Sequence, residues 1–149
     1  KYYSNKINKP KYNMIFIAFG AEEIGLLGSK YYTENPLLPL PKIKFLLNFD
    51  LAGTGVDGVK VVNATQFVGE FNKLTELNKQ NYLLSTVAPR GPACNSDHCY
   101  FYQKKVPVFY IYTLGGISAY HDIYDKYETL PFTAFENYSK LIKLFIHNL

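Results

Sequence analysis

Residues 12–20 read Tyr12-Asn13-Met14-Ile15-Phe16-Ile17-Ala18-Phe19-Gly20, a continuous apolar, β-branched and aromatic run that stops at glycine. A strand buried on both faces reads this way. Ala21-Glu22-Glu23 follows at its carboxyl end. Residues 24–35 then set Leu26, Leu27, Tyr31 and Tyr32 at helical spacing, and Pro36 stops the helix. A buried strand feeding a helix through two adjacent carboxylates is the unit from which the rest of the chain is read.

The pattern repeats outward. Residues 43–50 (IKFLLNFD) form a second apolar strand, after a rigid connector at 36–41 that carries Pro36, Pro39 and Pro41. Gly53, Gly55 and Gly58 mark the next loop, and residues 59–63 a short strand. Phe67, Phe71, Leu74 and Leu77 give residues 66–80 an amphipathic helix. A strand is expected at 83–87, a short helix capped by Ser96 at 96–105, a buried strand at 106–113, and a last helix opened by Pro131 and running to 147. Strands alternating with helices predict an α/β three-layer sandwich on a mostly parallel mixed sheet, one domain over residues 1–149.

The 149 residues suffice to bury a core. With 48% hydrophobic and 19% charged residues the chain is not disordered. Sixteen basic and 12 acidic residues leave +4, but Arg90 is the only arginine and the lysines are scattered. That argues against nucleic acid, whose readers lean on bidentate arginine. No apolar run approaches the ~18–20 residues of a membrane span, and no signal-peptide pattern opens the chain. The start at Lys1 rather than methionine implies that an upstream part has been removed.

Sites in open α/β sheets form in crevices at the carboxyl ends of strands. Glu22 and Glu23 follow the first strand, Asp50 ends the second, and His121 lies in the loop after the last. Each has an ordinary reading. Acidic residues suit a helix start, Asp50 suits a turn ahead of Gly53, and a lone histidine is usually a surface residue. Together they make the oxygen and nitrogen donor set that suits zinc. No His-Glu-x-x-His helix is present, which excludes that metalloprotease pattern. Cys94 and Cys99 flank Asn95-Ser96-Asp97-His98. A disulfide there would need an oxidising compartment; the alternative is two free thiols, and a zinc site of Cys94, His98 and Cys99 would force neighbouring side chains toward one ion. The aromatics Tyr100, Phe101 and Tyr102, and Phe109, Tyr110 and Tyr112, read as core and pocket wall. Gly115-Gly116 reads as a flexible loop, not a phosphate cradle.

The blocks FIAFGAEEIGLLGSKYY (16–32), NFDLAG (48–53), Ser96-Asp97-His98, and Tyr120-His121 with Asp125 resemble the M28 family of zinc peptidases, two-zinc exopeptidases of the aminopeptidase type. The resemblance implies that Glu22 is the general base and acid, that Glu23 and His121 share one zinc, and that Asp50 binds the other. It implies that Tyr120 donates to the developing oxyanion and that Asp125 steadies the loop or an imidazole. The loop holding Cys94, Ser96, Asp97, His98 and Cys99 would border the substrate pocket, and the substrate would be a peptide.

The match also has gaps. Family members carry a further histidine and a bridging aspartate on segments preceding the strand that here begins near Tyr12. His98 and His147 lie downstream and cannot be those residues. The expectation is therefore an N-terminally truncated catalytic domain, inactive and metal-poor by itself, whose uncovered surface invites self-association. Two alternatives are carried: a glutaminyl-cyclase-like acyltransferase of the same architecture, and a non-catalytic interaction module, against which the retained Glu22 speaks. Family habit suggests export in bacteria.

Overall fold

The computed structural model describes residues 2–149. Four strands, β1 (Leu46–Phe49), β2 (Gly58–Val62), β3 (Val87–Pro89) and β4 (Val108–Leu114), form one sheet in the order β1-β4-β2-β3. β1 pairs β4 and β2 pairs β3 in parallel; β2 and β4 run antiparallel. The sheet is thus mixed and mostly parallel, as expected.

Side-chain alternation sends successive residues to opposite faces. Phe109 and Ile111 of β4 join Leu47 of β1 and Val59 and Val61 of β2 on one face. Two helices cover that face: α2 (Val68–Asn81) through Leu74, and α4 (Phe135–His147) through Tyr138, Leu141, Ile142 and Phe145. The spacing of those four positions is the apolar stripe of an amphipathic helix. On the other face Leu46 packs with Phe101 and Val106, under α1 (Leu27–Glu34) and α3 (His98–Gln103). Helices on both faces make the three layers.

Buried polar groups fix the joints. Asn78 donates to the Leu84 carbonyl and accepts from its N–H, at 3.0 and 2.9 Å, pinning the chain as it leaves α2. Tyr138 Oη donates to the Ile111 carbonyl at 3.1 Å, tying α4 to β4. Gly58 has φ +92°, and a Cβ there would collide with the Thr86 carbonyl where β2 and β3 meet.

Residues 12–20 depart from expectation. They form no strand; Ile15, Phe16 and Ile17 are exposed, Phe16 at 80%. The run makes no ladder with β1, an edge strand; Ile17, Ala18 and Phe19 instead line a cleft together with Asn48 and Phe49. Only Phe19 packs inward, its ring centroid 6.1 Å from Tyr32 and 5.9 Å from Phe101. Three smaller corrections follow. The strand expected at 83–87 begins at Val87, because Leu83 and Leu84 are buried by coil and Asn78 holds the Leu84 backbone groups. Ser96 does not cap α3; its hydroxyl is spent on Asp50 and Asp97 holds the N-cap position. Cys94 and Cys99 are joined as a disulfide, which removes the free-thiol and zinc-ligand readings.

Phe109 is fully buried among Phe45, Phe67 and Phe145, with ring centroids at 4.9, 6.2 and 6.1 Å. Phe109→Ala is expected to cost about 3–5 kcal/mol in urea unfolding. Phe16→Ser should stay within about 0.5 kcal/mol; a large loss there would restore the buried-strand reading.

His98 is fully buried, its Nε2 2.7 Å from the Ala93 carbonyl. Burial holds its imidazole below the ordinary histidine value, and Arg90 assists while the Ala93 carbonyl and Asp97 oppose. The unfolded histidine takes up a proton near pH ~6.5 and the folded one only at lower pH. This contribution is therefore complete above about pH 6.5 and is lost as the pH falls toward the folded value, by up to about 1.4 kcal/mol per unit. The stability gap between the wild type and His98→Gln should narrow on acidification from about pH 7.5 to 5.5. Parallel pH curves would refute the assignment.

Candidate functional site

The carboxylates come from two loops. Asn48 and Asp50, two residues apart, fall on the same face of the sheet at the carboxyl end of β1. Glu22 and Glu23 sit in a tight turn between the extended run and α1, closed by Leu26 N–H to Glu22 O at 2.9 Å and Gly28 N–H to Gly20 O at 3.1 Å. Gly28 is required there, since a Cβ would strike the Gly20 backbone. α1 begins at Leu27 and has no acidic residue in its first turn, so helix-dipole compensation does not explain the glutamate pair.

Glu22, Glu23 and Asp50 stand on the wall common to two clefts. The first, about 340 Å³, is also lined by Ile17, Phe19, Asn48, Ser96 and Asp97. The second, about 290 Å³, is also lined by Leu51, Asn95, Tyr110, Tyr112 and Tyr120. Asp50 is held from below: Asn48 Nδ2 donates to Ser96 Oγ at 2.7 Å, and Ser96 Oγ donates to Asp50 Oδ2 at 2.9 Å. His121 Nδ1 lies 3.9 Å from Glu23 Oε1, too long for a hydrogen bond but close enough for both to face one point. The Tyr120 ring packs on the His121 ring at 4.0 Å.

Crowding of like charge shows in the acidities. Partial burial, then the charges of Asp50, Glu23 and Asp97, push the Glu22 carboxyl up, with His121 opposing. Tyr120 is raised by burial and then by Glu23, Asp50 and Glu22. Tyr110 is raised by burial first and Asp50 second. Asp97 is 8% exposed and its Oδ1 is buried without a hydrogen-bond partner. Backbone strain gathers here too. Ala21, Leu51 and His121 have φ of 59, 56 and 59°, in the left-handed region that costs a non-glycine residue of order 1–3 kcal/mol.

Asp125 is exposed and serves a turn, its N–H donating to the Asp122 carbonyl at 3.0 Å; among the described residues no hydrogen bond joins its carboxylate to an imidazole. Tyr110 and Tyr112 line the second cleft, as the reading of them as pocket wall expected, whereas the sequence reading assigned no role to Asn48 and held no sign of the buried, unpaired Oδ1 of Asp97. Only the period-two placement of Asn48 beside Asp50 was there to be found.

The donor types suit zinc, but their number falls short. Among the described residues no group of three His, Cys, Asp or Glu side chains converges closely enough to hold a metal ion. Glu23 and His121 make a pair, and among the described residues no third donor joins them closely enough to complete a metal centre.

Comparison with known proteins follows the same lines. Leupeptin-inactivating enzyme 1 of Streptomyces exfoliatus is 33% identical over 105 residues, covering 67% of this chain and 22% of that protein. A zinc aminopeptidase from Bacillus subtilis superposes with a TM-score of 0.73 at 21% identity, over 88% of this chain and 34% of that one. A glutaminyl cyclase from Bacteroides thetaiotaomicron gives 0.64 at 17% identity, over 91% and 49%. At these identities the two structures speak for the fold alone, and the chain spans about a fifth to a half of the proteins it matches. The model of Peptidase family M28 matches residues 1–146, nearly the whole length, and the chain belongs to that family.

Proposed function

We propose that residues 1–149 are the C-terminal portion of the catalytic domain of a zinc-dependent peptidase that removes N-terminal residues from peptides. The observation that carries this is the placement of Glu22: a carboxyl pushed up by partial burial and by its acidic neighbours, lining two clefts beside Glu23, Asp50 and Tyr120. A carboxyl raised in this way is a stronger base than a free glutamate.

Glu22 accepts a proton from the attacking water and returns it to the leaving amine. Tyr120, at the second cleft, donates its hydroxyl hydrogen to the oxyanion as charge develops. Tyr110 and Tyr112 wall the space for the substrate side chain. Glu23 with His121, and Asp50 steadied by Ser96, are this chain's donors to a centre that other residues complete. Zinc, when bound, supplies the Lewis acidity for amide hydrolysis. Asp125 contributes only to loop conformation. By itself the 149-residue chain is inactive on this reading, since among the described residues no three donor side chains converge on one point.

In the intact protein Glu22→Gln should lower kcat by about 10²–10⁴ while leaving zinc content and fold unchanged. Free amino acid release and cyclisation of an N-terminal glutamine peptide should be assayed in parallel. Unchanged turnover would end the base assignment, and cyclisation without release would move the protein to the acyltransferase reading.

The exposed run with Ile15, Phe16 and Ile17 beside an edge strand supports self-association of the isolated chain. Light scattering should show mass rising with concentration; a monomer throughout would remove this part of the proposal.

A further inference from the structure

One short covalent ring touches both clefts. The Cys94–Cys99 disulfide closes residues 94–99. Within it Asn95 lines the second cleft, and Ser96 and Asp97 line the first. The ring bears on the site through two side chains. Ser96 Oγ donates to Asp50 Oδ2 at 2.9 Å, and the buried His98 ring stacks on Tyr110 with centroids 5.1 Å apart. Among the described residues Ser96 supplies the hydrogen bond that Asp50's carboxylate accepts.

The two sulfurs are unequal. Cys94 is exposed, whereas Cys99 is 2% exposed and its Sγ accepts from Gln103 Nε2 at 3.3 Å. Thiolate attack needs access to one sulfur and a stabilised leaving group at the other. The exposed residue is Cys94, and the Gln103 amide is the donor that faces Cys99, so attack is directed at the Cys94 end.

We propose that Cys94–Cys99 is a redox-labile clamp: a dithiol reductant opens it at the Cys94 sulfur, and opening releases Ser96 from Asp50 and disarms the site. One thiolate of the reductant attacks Cys94 Sγ, forming a mixed disulfide and expelling Cys99 Sγ as a thiolate, which the Gln103 amide steadies until it takes up a proton. The second thiol of the reductant then attacks its own sulfur in the mixed disulfide and expels the Cys94 thiolate. The protein gains two electrons and two protons, and the reductant leaves as a disulfide. The freed ring recovers the backbone freedom that closure denied it, and the hydroxyl that oriented Asp50 is no longer held in place. Disarming of hydrolysis rests on the peptidase reading; opening of the clamp does not.

The test has two arms. On the 149-residue chain, a monothiol (glutathione) should form its adduct on Cys94. Reduction by dithiothreitol should speed amide exchange about tenfold or more at residues 95–99 and 48–51, while α2 stays protected. An adduct on Cys99, unchanged exchange at 48–51, or equal acceleration in α2 would overturn the clamp, the last by making the bond a general staple. On the intact protein, reduction should lower peptide hydrolysis about tenfold, reversibly on reoxidation, and the double variant Cys94→Ser/Cys99→Ser should reproduce the reduced rate. Full activity in the reduced state would overturn the disarming. An oxidised protein that hydrolyses no peptide sinks the peptidase reading, while adduct position and exchange still decide the clamp.

Discussion

The parallel pairing of β1 on β4 is the constraint from which the site follows. Leu46 lies against Val108 and Phe49 against Ile111, so the two strands end at the same edge of the sheet. Their continuations therefore emerge together: Asp50 and Leu51 from one, and the loop that carries Tyr120 and His121 from the other. The Thr113 N–H bond to the Leu51 carbonyl, 3.0 Å, extends the contact one step past the ladder. β4 can hold this position because Val108, Phe109, Tyr110 and Ile111 are all buried, with helices on both faces. An antiparallel β1 would send Asp50 to the opposite edge.

Much of this was legible in the sequence, for identifiable reasons. β4 was readable because burial dictates its pattern, a β-branched and aromatic run; the last helix was read from Pro131, but α4 begins only at Phe135, with Ala134 at its N-cap. The failures share a cause as well. Residues 12–20 have the composition of an inner strand, but composition reports a demand for burial and not whether a partner meets it. Ser96 before a short helix has the chemistry of a cap, yet a hydroxyl also serves a carboxylate 46 positions away in sequence, and local pattern carries no trace of that competition. Glu22, Glu23, Asp50 and His121 were singled out by their places after apolar strands, and resemblance to a family signature gave them their roles. The raised pKa of Glu22 and the unpaired Oδ1 of Asp97 appear only when the chain is folded.

The site carries several costs at once. Ala21 precedes the glutamate pair, Leu51 follows Asp50, and His121 is itself a candidate donor; all three occupy left-handed backbone. Glu22 is raised first by partial burial and then by three neighbouring carboxylates, with one imidazole opposing. Strain and like-charge crowding persist only where surrounding structure over-determines them. Here the determinants are the Gly20–Gly28 contact, the β1–β4 pairing and the hydrogen bonds through Ser96.

Those three determinants differ in kind. The strand pairing is backed by the larger core and the glycine contact by backbone geometry, so neither responds to small changes in surroundings. The Ser96 bond is supported differently: its hydroxyl is buried and accepts from Asn48 of β1 at 2.7 Å, but the loop that carries it is a six-residue ring closed by a disulfide with an exposed residue, Cys94, at one end. Of the three determinants it is therefore the one with a chemical handle. A protein that needed Asp50 fixed under all conditions would have more to gain from a second donor on a rigid strand than from a hydroxyl on a reducible loop.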